Sequence, residues 1–279
     1  MLKKFFDFFI FSSVYISLCA VVMSWQTWYL VLHSSLPAAF YGFVFFATMC
    51  SYNFHWWLTP TSNHSTQRIA WAAQYKGWHY GFYLYGLAGT LVSFFFIRDH
   101  WLAISFGALV TFLYSAPKLP QPMFRALKKV AIGKTLFLSV VWTYVTTILP
   151  VFVSNESFNG EIILFAISRF GLIYAICILF DYRDREDDRR DGIRSMITFF
   201  EEEGINIVFT ISILIFAAAS IALYGYNYSI GKSIILLLPG IAVAGLYRYA
   251  KKNFSDYLYY LILDGMMMLS GLIMLILRV

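Results

Sequence analysis

The chain has 279 residues, of which 60% are hydrophobic, 20% aromatic and only 13% charged, with a formal net charge of +6. A soluble domain carries roughly 25% charged residues, so water is not the main solvent of this chain, and its basic balance needs no nucleic-acid partner. Three cysteines, Cys19, Cys50 and Cys177, stand in apolar segments without metal-ligand spacing, which suggests buried thiols rather than a disulfide framework or a zinc site.

From Phe8 to Gln67 there is no Asp, Glu, Lys or Arg. That run is long enough for two bilayer crossings at roughly 20 residues each, with a break expected at His33-Ser34-Ser35-Leu36-Pro37. The first apolar stretch outruns the core of about 7 to 15 residues of a cleaved signal peptide and reads as a retained span. Further apolar runs extend the pattern to about nine spans near 8–32, 37–58, 78–97, 100–116, 133–153, 162–180, 205–224, 233–247 and 257–277. The runs lack the period-two alternation of a membrane barrel, and a helix satisfies its backbone groups within one segment. The expected fold class is therefore all-α, a polytopic membrane helical bundle forming one integral domain over residues 1–279.

The basic residues orient this bundle, because Lys and Arg accumulate on the cytoplasmic side. One face receives Lys3, Lys4, Arg68, Lys76, Lys118, Arg125, Lys128, Lys129, Arg183, Arg185, Arg189, Arg190, Arg194, Arg248, Lys251 and Lys252. The other receives only Arg98, Lys232 and Arg278, which places the N-terminus in the cytoplasm and suggests the cytoplasmic membrane as the location.

The segment from Asp181 to Ser195 holds six acids and five arginines at the cytoplasmic mouth of the sixth span. If the helix runs on, Asp181, Asp184 and Asp188 at i, i+3 and i+7 fall within about 60° of one another. Crowded carboxylates call for a cation, and hard oxygen ligands suit Mg²⁺ completed by substrate phosphates. The competing reading is a solvated charged loop that merely obeys the positive-inside rule.

At these residues the chain resembles the UbiA superfamily of intramembrane prenyltransferases. Asp181, Asp184, Asp188, Gly192 and Arg194 match that family's second aspartate-rich motif, and Tyr114-Ser115-Ala116-Pro117-Lys118, Lys134 with Trp142, and Leu263-Asp264-Gly265 resemble its other recurring segments. The resemblance implies a UbiA-like fold and transfer of a prenyl group from a prenyl diphosphate to a lipophilic acceptor. It also implies Mg²⁺ held by Asp181, Asp184 and Asp188, with Asn53, Lys118, Lys134 and Arg183 as candidates to contact the diphosphate. The first aspartate motif departs from the family pattern, because Asn53 is in place while Trp57 and Thr61 occupy its two aspartate positions. His55 and His64 are the nearby groups able to bind a metal or phosphate in compensation. The alternative is a non-catalytic protein of the same fold that binds an isoprenoid lipid or a protein partner. Transport is weaker, since paired Gly/Pro-interrupted spans in two halves of the chain are missing.

Arg169 and Asp264 fall inside the sixth and ninth spans, where an unpaired charge costs several kcal/mol. Each needs a partner or an aqueous cavity, and one solution pairs them with each other. The run Glu201-Glu202-Glu203 reads either as part of a short helix covering the site or as a solvated loop.

Overall fold

The computed structural model describes residues 2–59, 66–116, 134–190 and 196–278, and these contain helices and short connections with no strand among them. In chain order the helices are α1 (Leu2–Phe11), α2 (Val14–Val31), α3 (Ala38–Leu58), α4 (Gln67–Gln74), α5 (Lys76–Phe95) and α6 (Trp101–Ser115). Next, α7 (Lys134–Thr143) continues through a π-helical turn (Tyr144–Ile148) into α8 (Leu149–Val153). The chain then runs through α9 (Gly160–Arg190), α10 (Met196–Phe199), α11 (Glu202–Ala222) and α12 (Ile230–Ala250). A second π turn (Leu258–Leu263) leads into α13 (Asp264–Leu277).

Among the described residues helices stand at each of the nine expected positions, and six helices there are long and apolar enough to cross a membrane alone. A seventh crossing is counted if α5 and α6, bent by 98° at Arg98–His100, form one broken span. The first expected span is corrected, because it breaks at Ser12 and Ser13. Ser13 takes a left-handed φ of 69°, and the Ser17 hydroxyl donates to its carbonyl. The detached α1 exposes Phe5, Phe6 and Phe8 beside Lys3 and Lys4, the composition of a helix lying in the headgroup region.

Helix α9 is the centre of the bundle. Residues such as Gly171, Leu172, Ile173, Ala175, Ile176, Cys177, Ile178 and Leu179 are buried around its whole circumference, as expected of a helix with no solvent face. Close approach to α11 depends on Gly171, where a Cβ would lie 2.9 Å from the Phe216 nitrogen and the Ser212 oxygen. The outer α12 instead exposes Ile230, Ile234 and Ile241. Cys19 and Cys177 are buried, as expected, whereas Cys50 is half-buried.

The two intramembrane charges do not pair. Arg169 donates to Thr27 Oγ1 at 2.6 Å, the Thr146 carbonyl at 2.7 Å, Thr147 Oγ1 at 3.0 Å and Gln26 Oε1 at 3.0 Å, and its guanidinium lies 4.6 Å from the Phe165 ring centre. Gln26 in turn donates to Ser270 at 2.9 Å, so one polar knot ties α2, the first π turn, α9 and α13. These oxygens give the cation neutral partners, which removes the need for a carboxylate. Asp264 lies instead within electrostatic reach of Arg183 and Arg68.

Candidate functional site

The helix of the sixth span does run on, through Asp181, Asp184 and Asp188 to Arg190, so the three aspartates occupy one flank of a continuous helix. Their side chains nevertheless have separate surroundings. Asp181 is buried and accepts a hydrogen bond from Thr135 in the first turn of α7. Asp184 is held by its neighbour Arg183, whose Nε donates to Oδ1 at 2.7 Å. Asp188 is buried near the helix end. Among the described residues no three side chains of His, Cys, Asp or Glu converge on one metal-sized point.

Arg183 is the best-defined member of the site. Its Nη2 donates to Tyr260 Oη at 2.9 Å, its Nη1 lies 3.5 Å from Asp256 Oδ1, and its guanidinium faces the rings of Tyr259 at 4.6 Å and Tyr260 at 5.0 Å. The Nη1 of Arg183 and the Oδ1 of Asp256 make no hydrogen bond with any described residue. Both border a cavity of about 400 Å³ lined also by Thr66, Gln67, Asp184, Asp187, Phe254 and Ser255. The Arg183–Asp256 ion pair, 3.5 Å long and without a closer hydrogen bond, thus stands in the wall of an opening at the C-terminal end of α9.

The remaining sequence candidates are placed less simply. Asn53 is fully buried: its amide donates to the carbonyls of Ser12 at 3.0 Å and Met49 at 2.8 Å, and its Oδ1 lies 2.6 Å from His79 Nδ1. It holds α1, α3 and α5 together at the point where the first span breaks. Trp57 packs among aromatic rings, 5.5 Å from Tyr80 and 6.3 Å from Phe54. His55 stacks on Tyr114 at 5.4 Å with its Nδ1 3.3 Å from Ser115 Oγ, which joins α3 to the end of α6. Lys134 is the first residue of α7, while Lys118, Thr61 and His64 lie outside the described residues.

Several site residues escaped sequence reasoning. Arg68, counted there only for its sign, is buried in α4 among aromatic rings, 4.2 Å from that of Trp56 and 5.2 Å from that of Phe11. It donates to the Phe11 carbonyl, and its backbone N–H donates to Asp256 Oδ2 at 2.7 Å. Burial pulls the Arg68 guanidinium down to about 9 and pushes the Asp256 carboxyl above its ordinary range, against the neighbouring positive charges. The signal available in the sequence was that Asp256 is the only acid between Glu203 and Asp264. Beneath the arginines lies an aromatic wall in which Trp142 donates to Tyr52 Oη at 3.1 Å and Trp56 meets Tyr260 at 6.2 Å.

The other described arginines of the acidic segment, Arg185, Arg189 and Arg190, have structural partners. Arg185 donates to the Phe200 carbonyl at 2.8 Å and Arg189 to that of Thr198 at 3.5 Å, bracing α10 against the end of α9. Glu202 and Glu203 occupy the first turn of α11, where the helix dipole favours them, and Glu202 pairs with Lys251. The acidic run is therefore a helix start rather than a solvated loop.

A family model described as the UbiA prenyltransferase family matches residues 76–257. The match includes the second aspartate segment and begins after Asn53, Trp57 and Thr61. A solved structure of a digeranylgeranylglyceryl phosphate synthase in membranes resembles the chain with a TM-score of 0.59 at 15% identity, covering 97% of this chain and 98% of that one. At that identity the likeness shows the fold. No curated protein matches the chain.

Proposed function

We propose, from the premise that this chain belongs to the UbiA prenyltransferase family, that it is a Mg²⁺-dependent membrane enzyme that transfers the prenyl group of a prenyl diphosphate to a lipophilic acceptor. The observation that carries this reading is the cavity at the end of α9, where Arg183, Asp184 and Asp256 face an opening above an aromatic wall. A diphosphate is an anion that needs cations around it and a long apolar tail that needs a water-poor channel. Arg183 supplies a fixed guanidinium at the cavity wall, and Arg68 supplies a second positive charge behind Asp256.

Asp181, Asp184 and Asp188 offer hard oxygen donors of the kind Mg²⁺ takes, and one or two carboxylates suffice when phosphate oxygens complete the shell. When bound, the metal would supply charge neutralisation for the departing diphosphate. The chain's own part is to hold the diphosphate at the mouth, exclude water, and surround the allylic carbon with the faces of Tyr52, Trp56, Trp142 and Tyr260. Lys118 and Lys134 remain proposed diphosphate contacts on the strength of the family resemblance.

Titration calorimetry with Mg²⁺ tests this reading directly. Mg²⁺ is expected to bind weakly alone and at least about tenfold more tightly with geranylgeranyl diphosphate, because the phosphate oxygens are part of the site. Equal affinity in both conditions would remove the shared site. A second reading, a scaffold that binds an isoprenoid without turning it over, is favoured by the α3 side, where Asn53 is committed to three internal partners and Trp57 to an aromatic cluster. It predicts binding of geranylgeranyl diphosphate with no release of diphosphate.

The reading also requires the acidic end of α9 to face the compartment that supplies the diphosphate, which the basic-residue asymmetry makes the cytoplasm. A cysteine introduced at Ser195 in a cysteine-free background is expected to react with an impermeant maleimide only from the cytoplasmic side. Labelling from outside intact cells would reverse the orientation.

A further inference from the structure

Asp264 opens α13 directly after the second π turn, and its carboxylate makes no hydrogen bond or ion pair with any described residue. It follows Tyr260, the partner of Arg183, by four residues, so it stands about one helical turn deeper in the bundle. There it is enclosed by protein, yet part of its surface stays open. A carboxylate in a membrane interior is costly, and those that persist have a partner or a task. The two guanidiniums within its electrostatic reach already have partners of their own: Arg183 bonds to Asp184 and Tyr260, and Arg68 to the Phe11 carbonyl. π turns cluster at functional sites because the extra residue re-aims the side chains beyond it. Here that turn carries Tyr260 and precedes Asp264.

The charge around Asp264 selects its occupant. A cationic ligand would meet Arg68 and Arg183, and an anionic one would meet Asp264 itself. A neutral hydrogen-bond donor fits both. It lies within electrostatic reach of Tyr52, which joins Trp142 in the aromatic wall, and a place one turn below the diphosphate end is where a second substrate would approach the allylic carbon.

Resting on the prenyl-transfer reading, we infer that Asp264 is a catalytic residue that receives the hydroxyl of a neutral lipophilic acceptor and takes its proton. As the carbon–oxygen bond to the diphosphate breaks, the electron pair leaves on the diphosphate. The acceptor oxygen forms the new ether bond to that carbon, and its proton passes to an Asp264 carboxylate oxygen, from which water later removes it. Asp264 thereby sets specificity for acceptors bearing a hydroxyl.

The test uses the full-length protein in lipid nanodiscs. Dicyclohexylcarbodiimide, an apolar reagent for carboxyl groups in water-poor surroundings, is expected to label Asp264, as read by peptide mass spectrometry. Excess 4-hexylphenol should protect it and 4-hexylanisole, the same molecule with its hydroxyl methylated, should not. Calorimetry should show that 4-hexylphenol binds at least about tenfold more tightly than the anisole, and that Asp264→Asn loses this preference, since a hydrogen bond to a charged group is worth that factor. Equal protection by both compounds, or no labelling of Asp264, overturns the inference, and neither result depends on the variant folding. Failure of the unmodified protein to bind geranylgeranyl diphosphate would instead overturn the prenyl-transfer reading on which the inference rests.

Discussion

Replacing Asp184 by asparagine is expected to lower prenyl transfer by about 10²–10³-fold, the usual cost of removing one group aimed at charge that develops in a transition state. The substitution keeps the shape of the side chain and removes its charge. Asp184 now faces the cavity while its Oδ1 accepts from Arg183, so it influences both the cation-binding flank of α9 and the position of the guanidinium. Arg183 itself stays anchored by Tyr260 and by the rings of Tyr259 and Phe180, so the fold should survive. Radiolabelled geranylgeranyl diphosphate turnover in nanodiscs, with a thermal melt as control for folding, measures the effect. A folded variant with undiminished transfer would mean that the best-matched motif of the chain is dispensable to the reaction.

The largest effect on stability is expected at Arg169. Arg169→Leu should destabilise the bundle by about 3 kcal/mol or more, because it strips the donor from four oxygens, two on α2 and two on the first π turn. Buried polar groups left unpaired cost roughly 1–3 kcal/mol each. The Thr146 carbonyl still accepts from the Thr27 hydroxyl, which keeps the loss below the full sum. Arg169→Lys should recover little, since an ammonium does not span the geometry that the planar fork reaches. Thermal unfolding followed by intrinsic fluorescence in detergent would check both variants. A melting temperature unchanged by Arg169→Leu would show that the knot contributes nothing net.

The legibility of this chain followed the range of the interactions involved. Apolar length is a local property, so the helical class, the approximate positions of most helices and the outward extension of α9 past Asp188 could be read from residue order. The break at Ser12 and Ser13 could not, because Ser is tolerated in membrane helices and only packing forces Ser13 to a positive φ. Arg169 and Asp264 were legible as anomalies, and their partners were not. Which oxygens meet a buried guanidinium depends on a π turn 22 residues away in sequence at Thr147 and on α2, 143 residues away at Gln26.

The site divides along the same line. Residue order by itself determined the hydrocarbon solvent, the helical bundle and the three aspartates on one flank of a helix, because each follows from composition or from a fixed angular repeat. Tertiary structure decided that Asn53 is a brace between three helices, that Arg68 and Asp256 join Arg183 at one end of α9, and that Asp264 is left without a partner. Those outcomes depend on which helices touch. No periodicity encodes a contact between Arg68 and Asp256, 188 residues apart, and only the packing of α4 against the start of the last span brings them together.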